Sequence, residues 1–251
     1  MNSRKNVLGV ILARAGSRGL EGKHLRPLLG REVIQWTFDH AQASTSLSRV
    51  VVSTDCPVVR KLAHERGFTT IARPAELAGD EATVQDALLH ALVEVESRGG
   101  DAFRADAVAC LYGNVPARPD GITDACVAKL FDADCDSVRT FTPVGKWHPQ
   151  WMSELDESGN VTALGAEGVD RRQNLQPLYL HDGGGLVMTR ASLERGLANR
   201  SNPHAMFGAD RRGIKVEPGS AVEVDTPRDL DIAEAALRSR GLGKPTMRMA
   251  A

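Results

Sequence analysis

Apolar residues follow two rhythms along this chain. The short β-branched and apolar runs Leu8 to Leu12, Arg49 to Ser53, Ala107 to Leu111 and Ser137 to Thr142 predict strands buried between layers, since a strand covered on both faces has no polar side. Between the runs, apolar residues recur at spacings of three and four, which predicts helices. Val33 to Ala43 sets Ile34, Phe38 and Ala41 on one face. Pro57 opens a second helix with Val58, Val59, Leu62 and Ala63 as its inward face and Gly67 as its cap. Thr83 to Arg98 has the most regular repeat, at Val84, Ala87, Leu88, Ala91, Leu92 and Val95, and Ile122 to Phe131 adds another helix. Strand alternating with helix predicts a parallel sheet with helices on both faces.

The rhythm fails from Pro143 to Leu180, where Trp147, Pro149 and Trp151 cluster ahead of a turn at Ser158-Gly159-Asn160. This stretch is expected to leave the core. Regularity returns with a strand from Gly185 to Thr189 and a helix near Leu193, followed by strands expected at Ile214 to Glu217 and Ala221 to Val224. The last helix is signalled by Thr226 as N-cap, Pro227 at its first position and Asp229 at its third.

At 251 residues and 42% hydrophobic, the chain is long enough for one sizeable core. Residues 1–251 are therefore expected to form a single domain, with 143–180 as an inserted subdomain. A formal net charge of −1 weighs against nucleic acid or an anionic membrane surface as partner. No apolar run approaches the roughly 18 residues of a membrane span, and the polar Met1 to Asn6 leads into no signal-peptide pattern, so a cytoplasmic location is expected. Cys56, Cys110, Cys126 and Cys135 form no C-x-x-C pair and are expected to be reduced, mostly buried thiols.

The charge is unevenly placed. From Met1 to Arg31 there are seven Lys or Arg and one acid, Glu21. The first strand runs into a loop with Gly16, Gly19 and Gly22, between which stand Ser17, Arg18 and Lys23, with Arg14 just before. Glycines let backbone N–H groups close round phosphate oxygens, and Arg and Lys add charged donors, so the loop suits a polyanion. The G-x-x-G-x-x-G spacing departs from the G-x-G-x-x-G of dinucleotide folds. It also departs from the P-loop, being one residue too long and carrying His24 where a hydroxyl would bind magnesium. Near the other end, Glu223 and Asp225 stand two apart. On a strand they would share a face, as a hard cation such as Mg²⁺ requires when it joins one or two carboxylates to phosphate oxygens. Asp225 could equally serve only to start the following helix. No Ser-His-Asp or Cys-His set can be assembled around His148 or His181.

The segment I-L-A-R-A-G-S-R-G-L-E-G-K-H-L resembles the N-terminal signature of the CMP-sugar synthetases, the cytidylyltransferases that activate sialic acid and related nonulosonic acids. The resemblance extends from Leu8 to about Leu237 and is weakest between Gly145 and Asp170. It implies an α/β fold of three layers, Rossmann-like, with a mainly parallel sheet. It also implies CTP and a 2-keto sugar acid as substrates, Mg²⁺ as cofactor, and a homodimer formed through the 143–180 excursion, which would also cover the substrate. Nucleotide contacts would come from Leu12, Ala13, Arg14, Gly16, Ser17, Arg18, Lys23, Arg73, Tyr112 and Asn114. Lys23, Arg14 and Asp225 would be catalytic, with Asp225 and Glu223 on the metal. Arg172, Gln173 and Asp182 would hold the sugar acid.

Four departures stand out against that family. Tyr112 replaces the usual Gln of L-Q-P-T-S-P-L-R, and Asn114 falls where Kdo (3-deoxy-manno-octulosonate) synthetases carry a metal-binding Asp. Glu223 replaces the first Asp of D-x-D-T-x-x-D-L, and Asp182-Gly183 replaces Asn-Gly. The acceptor therefore stays open among N-acylneuraminate, Kdo, and pseudaminic or legionaminic acid. A non-catalytic nucleotide-binding relative is the remaining alternative. Arg73 could face the nucleotide or pair with Glu76 at the surface.

Overall fold

The structure, a computed structural model, describes residues 5–16, 19–79, 81–98, 103–165, 171, 174–199 and 201–242. Of the residues singled out above, Ser17, Arg18, Arg172 and Gln173 lie outside the described residues.

The first strand β1 (Val7–Leu12) is followed by a short ribbon, β2 (Pro27–Leu28) with β3 (Arg31–Glu32), and by helix α1 (Val33–Ala43). Strand β4 (Arg49–Thr54), α2 (Pro57–Glu65), β5 (Thr69–Ala72), the single turn α3 (Ala75–Ala78), α4 (Val84–Ser97) and β6 (Ala107–Tyr112) continue the alternation. Then come α5 (Ile122–Asp132), β7 (Ser137–Pro143), the hairpin β8 (Ser153–Leu155) and β9 (Val161–Ala163), β10 (Tyr179–Thr189), α6 (Arg190–Arg195), β11 (Arg211–Lys215) and α7 (Pro227–Ser239).

One seven-stranded sheet runs in the order β11-β7-β10-β6-β1-β4-β5. It is parallel except that β10 lies antiparallel to both β6 and β7. The two faces follow from the period of two along each strand. Leu8, Val10 and Leu12 of β1 join Val108 and Cys110 of β6 and the inner faces of α4 and α6, whereas Ile11 packs with Ile34 and Phe38 of α1 and Val59 and Ala63 of α2. Helix α5 extends that second face over Val7, Ala107, Ala109 and Val187. The expected α/β/α layering is the observed one.

The capping residues behave as their chemistry predicts. Pro57 begins α2 and Gly67 takes φ +77 just past its end. Thr83 accepts the N–H of Asp86 at the start of α4, and Thr226 and Asp229 form a reciprocal capping box at α7.

Four expectations are corrected. Val58 is 51% exposed, because it stands one position off the buried Val59–Ala63 stripe of α2. The strand expected at Ile214 to Glu217 lies earlier, at Arg211–Lys215, where it is parallel to β7. Ala221 to Val224 is not a sheet strand: among the described residues its ladder contact is an isolated bridge from Val222 to Ala117. The excursion is also shorter than expected, since β10 already pairs with β7 at Tyr179 and Leu180.

The extended 221–225 segment is fixed by packing. Val222 and Val224 are buried with Leu20 of the opening loop, with Val33 and Trp36 of α1, and with Ala233 and Leu237 of α7. This small cluster brings residues more than two hundred positions apart to the carboxyl ends of β1 and β6.

Candidate active site

The opening loop leaves β1 at Leu12 and crosses the ends of the central strands, where crevices form in open α/β sheets. Ala13 is tied back to β4 by its N–H to the Ser53 carbonyl at 3.1 Å, and the Ala15 N–H donates to Asp55 Oδ1 at 2.7 Å. The glycines have separate roles. A Cβ on Gly19 would lie 2.5 Å from the Asp225 carbonyl oxygen, so only glycine lets the loop press against the C-terminal segment. Gly22 takes φ +60, whereas a Cβ on Gly16 would meet open space.

A cleft of about 260 Å³ opens beside the loop, lined by Leu12, Arg14, Lys23, Arg73, Tyr112, Asn114 and Glu223 among others. Seven of the residues singled out from the sequence thus line one cavity. Ala13 is buried behind it, Gly16 stands on the exposed loop, and Asp225 reaches its carboxylate end through Lys23 and Asn114.

At that end Lys23 Nζ donates to Asp225 Oδ1 at 2.6 Å. The Asn114 amide, buried, donates to Glu223 Oε1 at 3.2 Å, to Asp225 Oδ1 at 3.3 Å and to the Val224 carbonyl at 3.2 Å. Lys23 and Asp225, read from the sequence as phosphate and metal ligands respectively, are therefore partners of each other here. Glu223 and Asp225 do face the same space although their segment is not a strand, because Asn114 gathers both. Desolvation in the cleft, and next the neighbouring Asp225 carboxylate, push the Glu223 carboxyl above its ordinary value. Two crowded carboxylates, one of them raised, are a donor set that a hard divalent cation relieves and fits. Among the described residues no group of three or more His, Cys, Asp or Glu could hold a metal by itself.

Arg73, also in the lining, is buried at 8% exposure, donating from Nε to Ser53 Oγ at 3.2 Å and from Nη2 to the Ser53 carbonyl at 3.0 Å. The surface pair with Glu76 is thereby excluded. Arg14 lies beside it, its Nη1 donating to the Gly79 carbonyl at 2.8 Å.

The turn that carries Asn114 is held from behind by a residue with no obvious sequence signal for the purpose. Arg118 is buried, and its guanidinium donates to the Tyr112 carbonyl at 2.6 Å, to Thr37 Oγ1 at 3.0 Å and to the Val115 carbonyl. His24 is a second residue passed over: it looked only like a missing hydroxyl, yet its buried ring lines the cleft against Gly113.

Asp182 is not in this cleft. It sits at the bulge of β10, where Oδ1 accepts from Thr140 Oγ1 and from the Gly184 N–H at 3.0 Å, and Oδ2 is buried without a partner among the described residues. Its neighbour Gly183 links the two places, since a Cβ there would stand 3.6 Å from Glu223 Oε2 and 3.8 Å from Tyr112 Cδ2. His148 is structural: Nδ1 accepts from the Gln150 N–H at 3.2 Å and Nε2 meets the Gln176 carbonyl at 3.0 Å. All four cysteines are free thiols, three of them buried. Among the described residues no helix is long and apolar enough to cross a membrane.

A cytidylyltransferase family model matches residues 8–152, more than half of the chain and all of the loop, Arg73 and Asn114. The chain belongs to the cytidylyltransferase family. The chain is 32% identical over 177 residues to the N-acylneuraminate cytidylyltransferase of Streptococcus agalactiae serotype V, a match covering 69% of the chain and 41% of that protein. The chain thus spans about two fifths of the length of that relative. It is 26% identical over 231 residues to the CMP-N,N'-diacetyllegionaminic acid synthase of Legionella pneumophila, covering 91% and 94% of the two chains. Among solved structures, a CMP:2-keto-3-deoxy-manno-octonic acid synthetase complexed with CTP superposes with a TM-score of 0.68 over 95% of this chain and 100% of that one, at 20% identity. That last likeness concerns the fold.

Proposed function

We propose that this cytidylyltransferase transfers CMP from CTP to the anomeric hydroxyl of a carboxylated 2-keto sugar acid and releases pyrophosphate. The observation that carries the reading is the meeting of Lys23, Asn114, Glu223 and Asp225 at one end of a cleft that Arg14 and Arg73 make cationic. Those groups supply both parts of phosphoryl-transfer chemistry, charged donors for phosphate oxygens and carboxylates for a cation. Glu223 and Asp225 would hold Mg²⁺, which when bound neutralises phosphate charge. Lys23 then exchanges Asp225 for a phosphate oxygen, and with Arg14 offsets the charge that develops on the leaving pyrophosphate while the sugar hydroxyl attacks in line. Tyr112 and Gly183 connect this end to the β10 bulge, where the acceptor would lie. Asp182 would accept from a sugar hydroxyl, and Arg172 would fork onto the acceptor carboxylate with Gln173 beside it.

The relatives support the acceptor class and leave its identity to experiment. N-acylneuraminate and legionaminate enzymes give the matches in hand, and a Kdo enzyme of Bdellovibrio bacteriovorus matches at 27% over 259 residues. A second copy of the chain is the proposed partner. The 143–180 region exposes Trp147 (69%), Leu155 (70%) and Val161 (66%), an apolar surface that pairing would cover.

The test is pyrophosphate release with magnesium, each nucleoside triphosphate being set against N-acetylneuraminate, legionaminate, Kdo and sugar 1-phosphates. CTP with one of the sugar acids is expected to give turnover. Preference for a sugar 1-phosphate, or for GTP or UTP, would overturn the assignment.

A further inference from the structure

The carboxylate end of the cleft is already held by groups of the chain itself. Lys23 Nζ donates to Asp225 Oδ1 at 2.6 Å, and the Asn114 amide nitrogen spans the pair, reaching Glu223 Oε1 at 3.2 Å and the same Asp225 oxygen at 3.3 Å. The Lys23 contact is the shortest of the three, and such charge-assisted bonds are among the strong ones. The lysine side chain is 16% exposed and that of Asp225 54%, so the pair is anchored in the protein yet reachable from solvent.

These groups stand where a cation on the two acids would have to enter. An ammonium and a divalent ion on one carboxylate repel each other strongly in a part-buried site, because like charges there are screened far less than in water. The charges around them point the same way. Arg14, Lys23 and Arg73 line the cleft against Glu223, which Asp225 joins at its end, giving three cations to two acids. A bare divalent ion would enlarge that excess. A polyphosphate reverses it and also offers Lys23 a second anion, and a lysine is a compact charge on a flexible stem that can turn from carboxylate to phosphate.

We propose that Lys23, steadied by the Asn114 amide, is an internal counter-cation that keeps a divalent ion off Glu223 and Asp225 until a nucleotide polyphosphate draws the lysine away, so that metal enters with the nucleotide and not before it. The inference rests on the nucleotide and metal reading above and adds the order of binding and the residue that enforces it. Lys23 has two successive partners under this scheme, Asp225 first and phosphate second. Its loss therefore has opposite effects, weakening the hold on phosphate and strengthening the hold on metal when no nucleotide is present. A lysine that served phosphate alone would produce only the first.

Water-proton relaxation with Mn²⁺, which suits the same oxygen ligands as Mg²⁺, reads metal held on the protein without any turnover. The wild type is expected to hold Mn²⁺ at least about tenfold more tightly with CTP or inorganic triphosphate than alone, whereas cytidine, which carries no phosphate, leaves the affinity unchanged. Lys23→Met, which keeps the apolar stem and loses the charge, is expected to bind Mn²⁺ alone about tenfold more tightly than the wild type does. Asn114→Asp turns a donor into a third acid and is expected to move the same way, which keeps the test open should Lys23→Met fail to fold. Equal wild-type affinities with and without triphosphate would overturn the gating role, as would the absence of a gain in folded Lys23→Met or, failing that variant, in Asn114→Asp. A wild type that holds no Mn²⁺ even with CTP would instead remove the nucleotide and metal reading itself, and this inference with it.

Discussion

The cleft and the 143–180 excursion occupy the same sheet end and are built in opposite ways. In the cleft, polar groups are engaged, and three of them are buried: Arg73 on Ser53, Arg118 on three acceptors and Asn114 on two carboxylates, with the part-exposed Lys23 on Asp225. In the excursion, apolar groups are exposed, from Trp147 and Trp151 to the β8–β9 hairpin. Buried polar groups persist only where their partners are fixed, so the cleft is pre-organised within one chain. Exposed apolar surface has the reverse meaning, because it lowers free energy only when something else covers it. Under the proposed function the first region would take the nucleotide and the second would meet another copy of the chain.

The sharpest way to break that contrast is Lys23→Ala. Losing a charged donor at a developing anion is expected to lower turnover by about a hundred- to a thousandfold, with the thermal melt nearly unchanged. Near-normal pyrophosphate release would separate the opening loop from the chemistry. Asp225→Asn keeps the side-chain volume and removes a charged ligand. It is expected to lose most activity and to raise the magnesium concentration needed by on the order of tenfold or more. A wild-type magnesium titration curve would make Asp225 a helix-start residue only. Glu223→Gln is expected to be milder.

Acidification probes the same pair without substitution. The Glu223 carboxyl is raised, so it takes up a proton at a higher pH than an ordinary glutamate, and apparent magnesium affinity is expected to fall as pH drops towards that range. In Glu223→Gln this limb of the profile should vanish. Stability carries a separate signature. His24 and His40 are lowered from 6.5 to about 3 and about 4 by burial, so the unfolded chain binds protons that the folded chain refuses. Their contribution is fully present above pH 6.5 and is lost progressively below it, so the melting temperature is expected to fall over that window. A flat melting temperature between neutral pH and pH 4 would contradict the buried, uncharged rings. The smallest catalytic effect belongs to the excursion: Trp147→Asp is expected to shift the chain from dimer to monomer by light scattering at micromolar concentration, leaving CTP binding within about twofold. A wild-type monomer would leave the apolar surface without its proposed partner.

How much of this could be read from residues alone depends on the range of the interaction concerned. Strand and helix periods, the Pro57 and Thr226 starts and the Gly67 cap are local rules, and each reappears in the fold at nearly the expected place. The glycine loop was legible as a motif, and the fold sets its Arg14 and Lys23 on one cleft. Legible too was the pairing of Glu223 with Asp225, though by the wrong route. Alternation along a strand was the expected cause, whereas Asn114 and the packing of Val222 and Val224 are what set both carboxylates on one side.

Tertiary structure alone decided the rest. No spacing rule joins Leu20 to Val224, or reveals that Gly19 is needed because the Asp225 carbonyl would stand 2.5 Å from a side chain there. Nor does the sequence show that His24 is buried against Gly113, or that burial and then the charges of Lys23, Arg73 and Arg14, brought together by folding, lower its pKa to about 3. The sequence by itself determined the layers, the loop and the class of chemistry, all of which rest on neighbours within a few residues. Which acid meets which base was settled by contacts spanning about two hundred residues, such as Lys23 with Asp225, where the energy of a close-packed polar cluster depends on positions that no local pattern specifies.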